Sequence, residues 1–464
     1  IMKGTHFFIR EVGLLIVVDI IMSQIDEEAP LIAADNEGNT GFTEPKVVDS
    51  PPQPKTPTWR ILLGTAYMFA MGVCGIVLTA IGSTLDQLAT KCGTTALKVS
   101  TVFLARGAGA ILGSFASGKL YSWFHGNYVM VGALTWITMT MLLLAFCNKV
   151  WYLHCLFASL GIGTSVTDTG CQIMTRKAHG RMAGPWLGAN TVTFGIAGAL
   201  VPLMELATSS LIIQFSILAG VSILTALAIV LIPVPTYLAE SMDKKLGKTA
   251  RAAGGASYYV EACLSCAVFC LIGGKVTFSS YIKDYITDTH VIDLHDKSLA
   301  LAMLWFAITV GRLLGLFDQI NIESKGQLYN HLYLWLTFGA LGMGLLLIFQ
   351  QNPIAFWFGI IFYGIGNGPC VGYCYDVNNR ITVPSEFGMA IVMFGLNLGA
   401  SLVPYLTALA WDDSGSALWL PIITFATMVL PIAFVRLTKL FQKDEIGFMY
   451  AMGPDSTGKK PASN

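Results

Sequence analysis

Charge is what this sequence is short of. Asp, Glu, Lys and Arg make up only 12% of its 464 residues, against about a quarter in a soluble domain. Acids and bases number 28 each, so no basic surplus exists to hold a nucleic acid. Seven histidines are scattered along the chain. No Walker A loop, HExxH helix or Ser-His-Asp arrangement is present, so nothing resembles an enzyme. The Asn-x-Ser/Thr sequon is missing as well, which leaves topology to be read from charge. Of the ten cysteines, Cys263, Cys266 and Cys270 share one helical stripe, and Cys370 and Cys374 another. No His and no second Cys-x-x-Cys accompanies them, so they read as small packing residues and not as a metal site.

Apolar length takes the place of charge. Hydrophobic residues form 54% of the chain, and runs of about 20 of them, enough to cross a ~30 Å hydrocarbon layer, recur throughout. They predict an all-α membrane protein with twelve transmembrane helices, over 59–83, 97–118, 127–147, 151–174, 184–204, 211–233, 257–281, 297–316, 328–349, 353–376, 387–408 and 416–438. Short connections favour antiparallel neighbours. The longest connection, 234–256, carries Lys244, Lys245, Lys248 and Arg251. It divides a six-helix bundle at 59–233 from a second at 257–438.

Loop charge orients the chain. Lys119, Arg176, Lys177, Arg181, the 234–256 cluster, Lys325, Arg380, Arg436, Lys439 and Lys443 fall on one side, which is expected to be cytoplasmic. Lys91, Lys98, Lys149, Lys283 and Lys297, mixed with Asp284, Asp288, Asp293, Asp296, Asp412 and Asp413, fall on the other. Both tails, 1–58 and 439–464, are then inside. The first is acidic and then Pro-rich, as in a disordered segment. Met22 offers a natural start, with residues 1–21 upstream of it. Glu27-Glu28-Ala29-Pro30-Leu31-Ile32 has the form of an acidic dileucine signal that a sorting adaptor would read, so the expected membrane is the plasma membrane or an endolysosomal one.

The two bundles repeat one another. Gly-Ile-Gly occurs at 161–163 and 364–366, Arg-x-x-Gly at Arg106/Gly109 and Arg312/Gly315. Phe194-Gly195 followed by Gly198-Ala199-Leu200-Val201-Pro202 is matched by Phe394-Gly395 followed by Gly399-Ala400 and Leu402-Val403-Pro404. The shared order and nearly constant offset of about 200 residues indicate a duplication. Six plus six helices joined by a basic loop resembles the major facilitator superfamily, whose halves are parallel repeats. That family's loop signature between helices two and three keeps Gly118, Leu120 and Gly126 here, but Ser122 stands where its Asp would be. The matching loop of the second half keeps an acid, Asp318.

Within that superfamily, Asp168-Thr169-Gly170-Cys171-Gln172 resembles the fourth-helix Asp-Thr-Gly-x-Asn motif of the sodium-dependent glucose transporter group. The more distant fucose:proton symporters have a Glu at the acidic position. Ser83-Thr84-Leu85-Asp86-Gln87-Leu88-Ala89 after the first helix, Gly273 to Tyr281 in the seventh and Gly311-Arg312-Leu313-Leu314-Gly315 in the eighth also fit. The resemblance covers about residues 60–440. It implies sugar transport with a coupling cation, Na+ or H+, and no other cofactor. It also implies an acid where this chain has Lys275; a cation there replaces the sodium site or shifts selectivity toward an anion.

The residues themselves point to the same chemistry. A carboxylate inside a membrane helix costs roughly 2.5–3.5 kcal/mol by insertion scales, so Asp168 is the candidate for ion coupling. Gln172, Asn190, Asn367 and Asn397 can bind hydroxyls, and Tyr281 and Trp305, with Trp186, can stack on a sugar ring. Lys275 completes the expected substrate set. Arg106, Arg312 and Asp318 are read as structural or gating. The alternatives for these residues are helix packing, interhelical amide bonds and interfacial aromatics. The expected function is secondary active transport of a small polar solute, a hexose such as glucose. The competing readings are an organic-anion or phosphorylated-sugar carrier using Lys275 and Arg106, and a transporter-like solute sensor that no longer cycles.

Overall fold

Glycine and small side chains let the apolar helices approach closely, and with no water in the bilayer core their backbones must be satisfied internally. The computed structural model describes residues 58–95, 99–179, 183–208, 210–232, 258–320, 322, 324–381 and 386–441. The expected sorting segment Glu27–Ile32, the central loop 234–256 and most of both tails lie outside the described residues. Among the described residues twelve long helices follow in order: α1 Thr58–Lys91, α2 Thr101–Trp123, α3 Gly126–Leu144, α4 Val150–His179, α5 Ala183–Ala207, α6 Leu211–Leu231, α7 Tyr258–Thr289, α8 Lys297–Ile320, α9 Lys325–Ile348, α10 Pro353–Ile381, α11 Glu386–Ser414 and α12 Trp419–Phe441. Eleven of them have the length and apolarity of a membrane span. The exception is α2, in which Arg106, Lys119 and a run of Gly, Ala and Ser dilute the apolar residues.

Most helices run past the ends that their apolar runs predict, and two do so by the widest margin. The first ends at Lys91 and not near 83, so the Ser83–Ala89 segment lies within α1. The seventh ends at Thr289 and not near 281, which puts Lys275 close to the middle of α7. The added turns carry Asp86, Gln87, Lys283 and Asp284. These polar residues interrupt the hydropathy but find partners between the two bundles.

The duplication is visible in the packing. In the first half α1 packs on α4, α5 and α6, α2 on α4, and α3 on α4 and α6. Adding six to every label gives the six principal pairs of the second half. Close approach at the same place makes this possible: a Cβ on Gly161 would overlap the Arg106 carbonyl where α4 crosses α2. A Cβ on Gly364 would lie 2.6 Å from Ala307 Cβ and 3.0 Å from the Leu304 oxygen where α10 crosses α8. Between the halves, α5 packs on α8, α11 on α2 and α1 on α7. The first two pairs exchange under the same relation, and the third maps onto itself. Large apolar side chains such as Phe115, Trp136, Leu231 and Ile348 are exposed around the outside, where lipid would cover them.

Candidate functional site

Most of the buried charged residues and their polar neighbours fall into three groups, two of which cross the seam between the halves. The first belongs to α1, α2 and α4. Asp168 sits in α4 among small residues, and Gln172, one turn on, is within hydrogen-bonding reach of its carboxyl. Oδ1 of Asp168 is buried and has no hydrogen-bond partner among the described residues. Cys74 of α1 neighbours both Asp168 and Arg106, and its thiol donates to the Thr164 carbonyl at 3.7 Å. Arg106 of α2 is buried, with Nε unpartnered among the described residues. It makes no ion pair with Asp168: among the described residues the ion pairs are Lys283–Glu205 and His331–Asp318.

The second group crosses the seam. Phe194 of α5 presents its ring to Lys275 of α7, with Nζ 5.9 Å from the centroid, and to Arg312 of α8, with Cζ at 4.8 Å. Arg312 Nη1 also donates to the Thr191 carbonyl at 2.5 Å. Gly195 leaves room for this: a Cβ there would lie 2.5 Å from Thr309 Oγ1 and 3.4 Å from Arg312 Nη1. Trp305, about two turns before Arg312, packs on the same Phe194 ring at 6.2 Å between centroids. Its indole Nε1 is buried without a partner among the described residues. The guanidinium beside Lys275 is therefore Arg312, whereas the sequence had paired Lys275 with Arg106.

The third group closes the end of the bundle that carries Lys283. Lys283 Nζ of α7 pairs with Glu205 of α5 at 2.7 Å and donates to the Ser83 carbonyl of α1 at 2.7 Å. Ser298 of α8 and Gln87 of α1 bond the same carboxylate at 3.2 and 3.4 Å. The carboxyls of Asp86 and Asp284 meet across the same seam. Only glycine fits at 82, where a Cβ would lie 2.7 Å from the Ser279 carbonyl oxygen. Tyr281 belongs here, fully buried with its ring against Phe103 of α2 at 6.0 Å and Trp411 of α11 at 6.5 Å.

The remaining candidates tie helices together. Asn190 Nδ2 donates to Thr175 Oγ1 at 3.1 Å, joining α5 to α4, and its Oδ1 is unpartnered among the described residues. Asn367 Nδ2 donates to the Leu271 carbonyl at 3.1 Å, joining α10 to α7, again with Oδ1 left over. Asn397 Nδ2 reaches Ser114 Oγ at 3.1 Å and so links α11 to α2 across the seam. Asp318 lies within the second half. It accepts from Trp335 Nε1 at 3.3 Å and from the Tyr373 hydroxyl, and lies 2.7 Å from His331 Nδ1. Trp186 is stacked on His179 at 4.3 Å. Sequence reasoning passed over Phe194 as a ring, Cys74 and the Lys283–Glu205 pair. Phe194 was visible only as part of the repeat, and Lys283 only as a loop charge.

No family model matches the chain. Sodium-dependent glucose transporter 1 of Danio rerio is 24% identical over 393 residues, 77% of this chain and 66% of that protein. The Homo sapiens protein of the same name is 21% identical, over 77% of this chain and 75% of its own length. Sodium-dependent glucose transporter 1A of Mus musculus is 21% identical, over 71% and 85%. The chain thus spans just under two thirds of the length of the Danio rerio relative. Among solved structures, a point mutant of the nucleoside transporter NupG superposes with a TM-score of 0.61, over 83% of this chain and all of that one. Its 13% identity speaks for the fold alone. Two six-helix halves with matching packing and eleven helices long and apolar enough to span a membrane make the chain a multi-pass membrane protein, similar in fold to a nucleoside transporter and in sequence to proteins named sodium-dependent glucose transporters.

Proposed function

We propose that the chain is a secondary active transporter that carries a small hydroxylated solute of the hexose class by alternating access. The observation that carries the reading is Asp168: a membrane-embedded carboxylate with one oxygen unpartnered among the described residues and an amide, Gln172, beside it. A free carboxylate oxygen in low dielectric is where a coupling Na+ or H+ binds with most gain. The names of the curated relatives support a sugar and sodium. Gln172 and the spare acceptors of Asn190 and Asn367 suit sugar hydroxyls, and Trp305 offers an aromatic face.

In this reading the Lys283 end faces outward and is shut, held by Lys283–Glu205 and the Gly82 contact. Opening it requires the two halves to rock about the seam. Arg106, Arg312 and Asp318 steady the helices that move. A sorting adaptor reading Glu27–Ile32 would place the protein in the plasma or an endolysosomal membrane.

The test is uptake of labelled glucose into proteoliposomes under an imposed sodium gradient and, separately, a proton gradient. Sodium-driven or proton-driven accumulation is expected, and it identifies the coupling ion. Asp168→Asn should lower accumulation by at least about tenfold while exchange of solute across the membrane persists, a loss of ~1.4 kcal/mol or more in driving force. Undiminished accumulation by that variant would remove Asp168 from coupling.

A further inference from the structure

Lys275 and Arg312 present a problem of charge that the hexose reading leaves unsolved. Lys275 is 3% exposed and its Nζ makes no hydrogen bond among the described residues. The titratable groups around it are Arg312 of α8 and the Cys370 thiol of α10. Cys370 is already committed, donating to the Gly366 carbonyl at 3.0 Å. Arg312 spends one N–H on the Thr191 carbonyl, out of five donors. Neither cation has a carboxylate within ion-pair distance among the described residues. Asp168, the acid singled out in the sequence, belongs to the group around Cys74 and Gln172.

Two like charges set against one ring repel strongly where water is scarce, and the face of Phe194 offsets only part of that. An unpaired buried charge is retained in a membrane protein chiefly for a partner that comes and goes. From this juxtaposition around Phe194, with the ring on one half and both cations on the other, we infer an anion subsite in the seam. A carboxylate or phosphate on the solute, or a small inorganic anion carried with it, sits between the ammonium and the guanidinium. Arg312 supplies the planar fork that suits such oxygens, and Lys275 a point charge. Both cations come from the second half, so the anion is held there, against the ring that the first half supplies. The inference rests on the transport reading above and specifies the solute further.

The experiment uses the full-length protein in proteoliposomes and in detergent. Labelled glucose uptake is measured with glucuronate or glucose 6-phosphate as competitor, and again with chloride replaced by methanesulfonate. A charged substituent on the solute predicts that the acidic sugar competes at least tenfold better than unlabelled glucose. A separate anion predicts at least a tenfold fall in glucose uptake without chloride. In either case Lys275→Gln and Arg312→Gln, recovered as monodisperse protein, lose the effect. Glucose uptake indifferent to chloride and to acidic sugars, and unchanged in both variants, overturns the subsite while leaving transport standing. If wild-type protein moves no sugar, thermal-shift measurement with glucuronate, glucose 6-phosphate and chloride decides the subsite alone. Stabilisation that Lys275→Gln abolishes upholds it, and no stabilisation removes it.

Discussion

The two halves of this molecule are alike in scaffold and different in how their buried charges are arranged. Each packs its helices in the same six principal pairs, and each crosses its second helix over its fourth through a glycine, Gly161 in one and Gly364 in the other. Yet the first half holds an acid, Asp168, beside an amide, while the second places Lys275 beside Arg312. Duplication explains the likeness, since a crossing that works once works twice. The difference lies in side chains that no packing rule demands. What the scaffold shares is folding, and what it does not share is the chemistry.

The largest expected effect tests the shared part. Gly161→Leu and Gly364→Leu each drive a four-carbon side chain against the backbone of a neighbouring helix, which cannot swing aside. The cost goes well beyond the usual overpacking penalty of about 1–3 kcal/mol, and the helices cannot pack. Both should lose most monodisperse protein on size-exclusion chromatography, to a similar extent. A severe loss at one site with tolerance at the other would show that the halves are not equivalent scaffolds.

Next in size is the contact that joins the halves at the Lys283 end. The Lys283 and Glu205 side chains are only 7% and 12% exposed, and leaving one buried charge without its partner costs roughly 3–5 kcal/mol. Lys283→Met alone should lower the melting temperature markedly, and the double change with Glu205→Met should recover much of it. Equal melting temperatures for wild type and Lys283→Met would show that the pair does not hold this end shut.

The smallest effect belongs to a neutral hydrogen bond across the same seam. Asn397→Ala removes its bond to Ser114, which is worth about 0.5–1.5 kcal/mol. A small drop in thermal stability with folding retained is expected. A collapse comparable to that of Lys283→Met would place the main tie between the halves at α2 and α11.

Much of this architecture was legible in the sequence, for a physical reason. A bilayer admits long apolar helices, so hydropathy alone locates them, and repeated Gly-Ile-Gly and Phe-Gly pairs announce the duplication. Helix ends were less legible. Asp86, Gln87, Lys283 and Asp284 look like loop residues until the opposite half supplies their partners. The site was legible as a set of odd residues but not as groups. Arg312 stood out as a repeat of Arg106, and nothing in one dimension says that it faces Lys275 over Phe194. Asn190 and Asn367 show the converse: amides picked for a solute also tie one helix to another inside each half. Glu205, which meets Lys283, gave no signal at all.

The pairing of Glu205 with Lys283 also bears on how the molecule is made. The acid is synthesised 78 residues ahead of its partner, so at about 5–20 residues per second it waits roughly 4–16 s. During that interval the first half is inserted with a charge that nothing yet neutralises. Arg312 then arrives from the second half to bond the Thr191 carbonyl of the first. The two bundles look like separate folding units, but the first is completed only by the ribosome's later product. A chain stopped after six helices would carry its unmatched acid at the edge of the lipid.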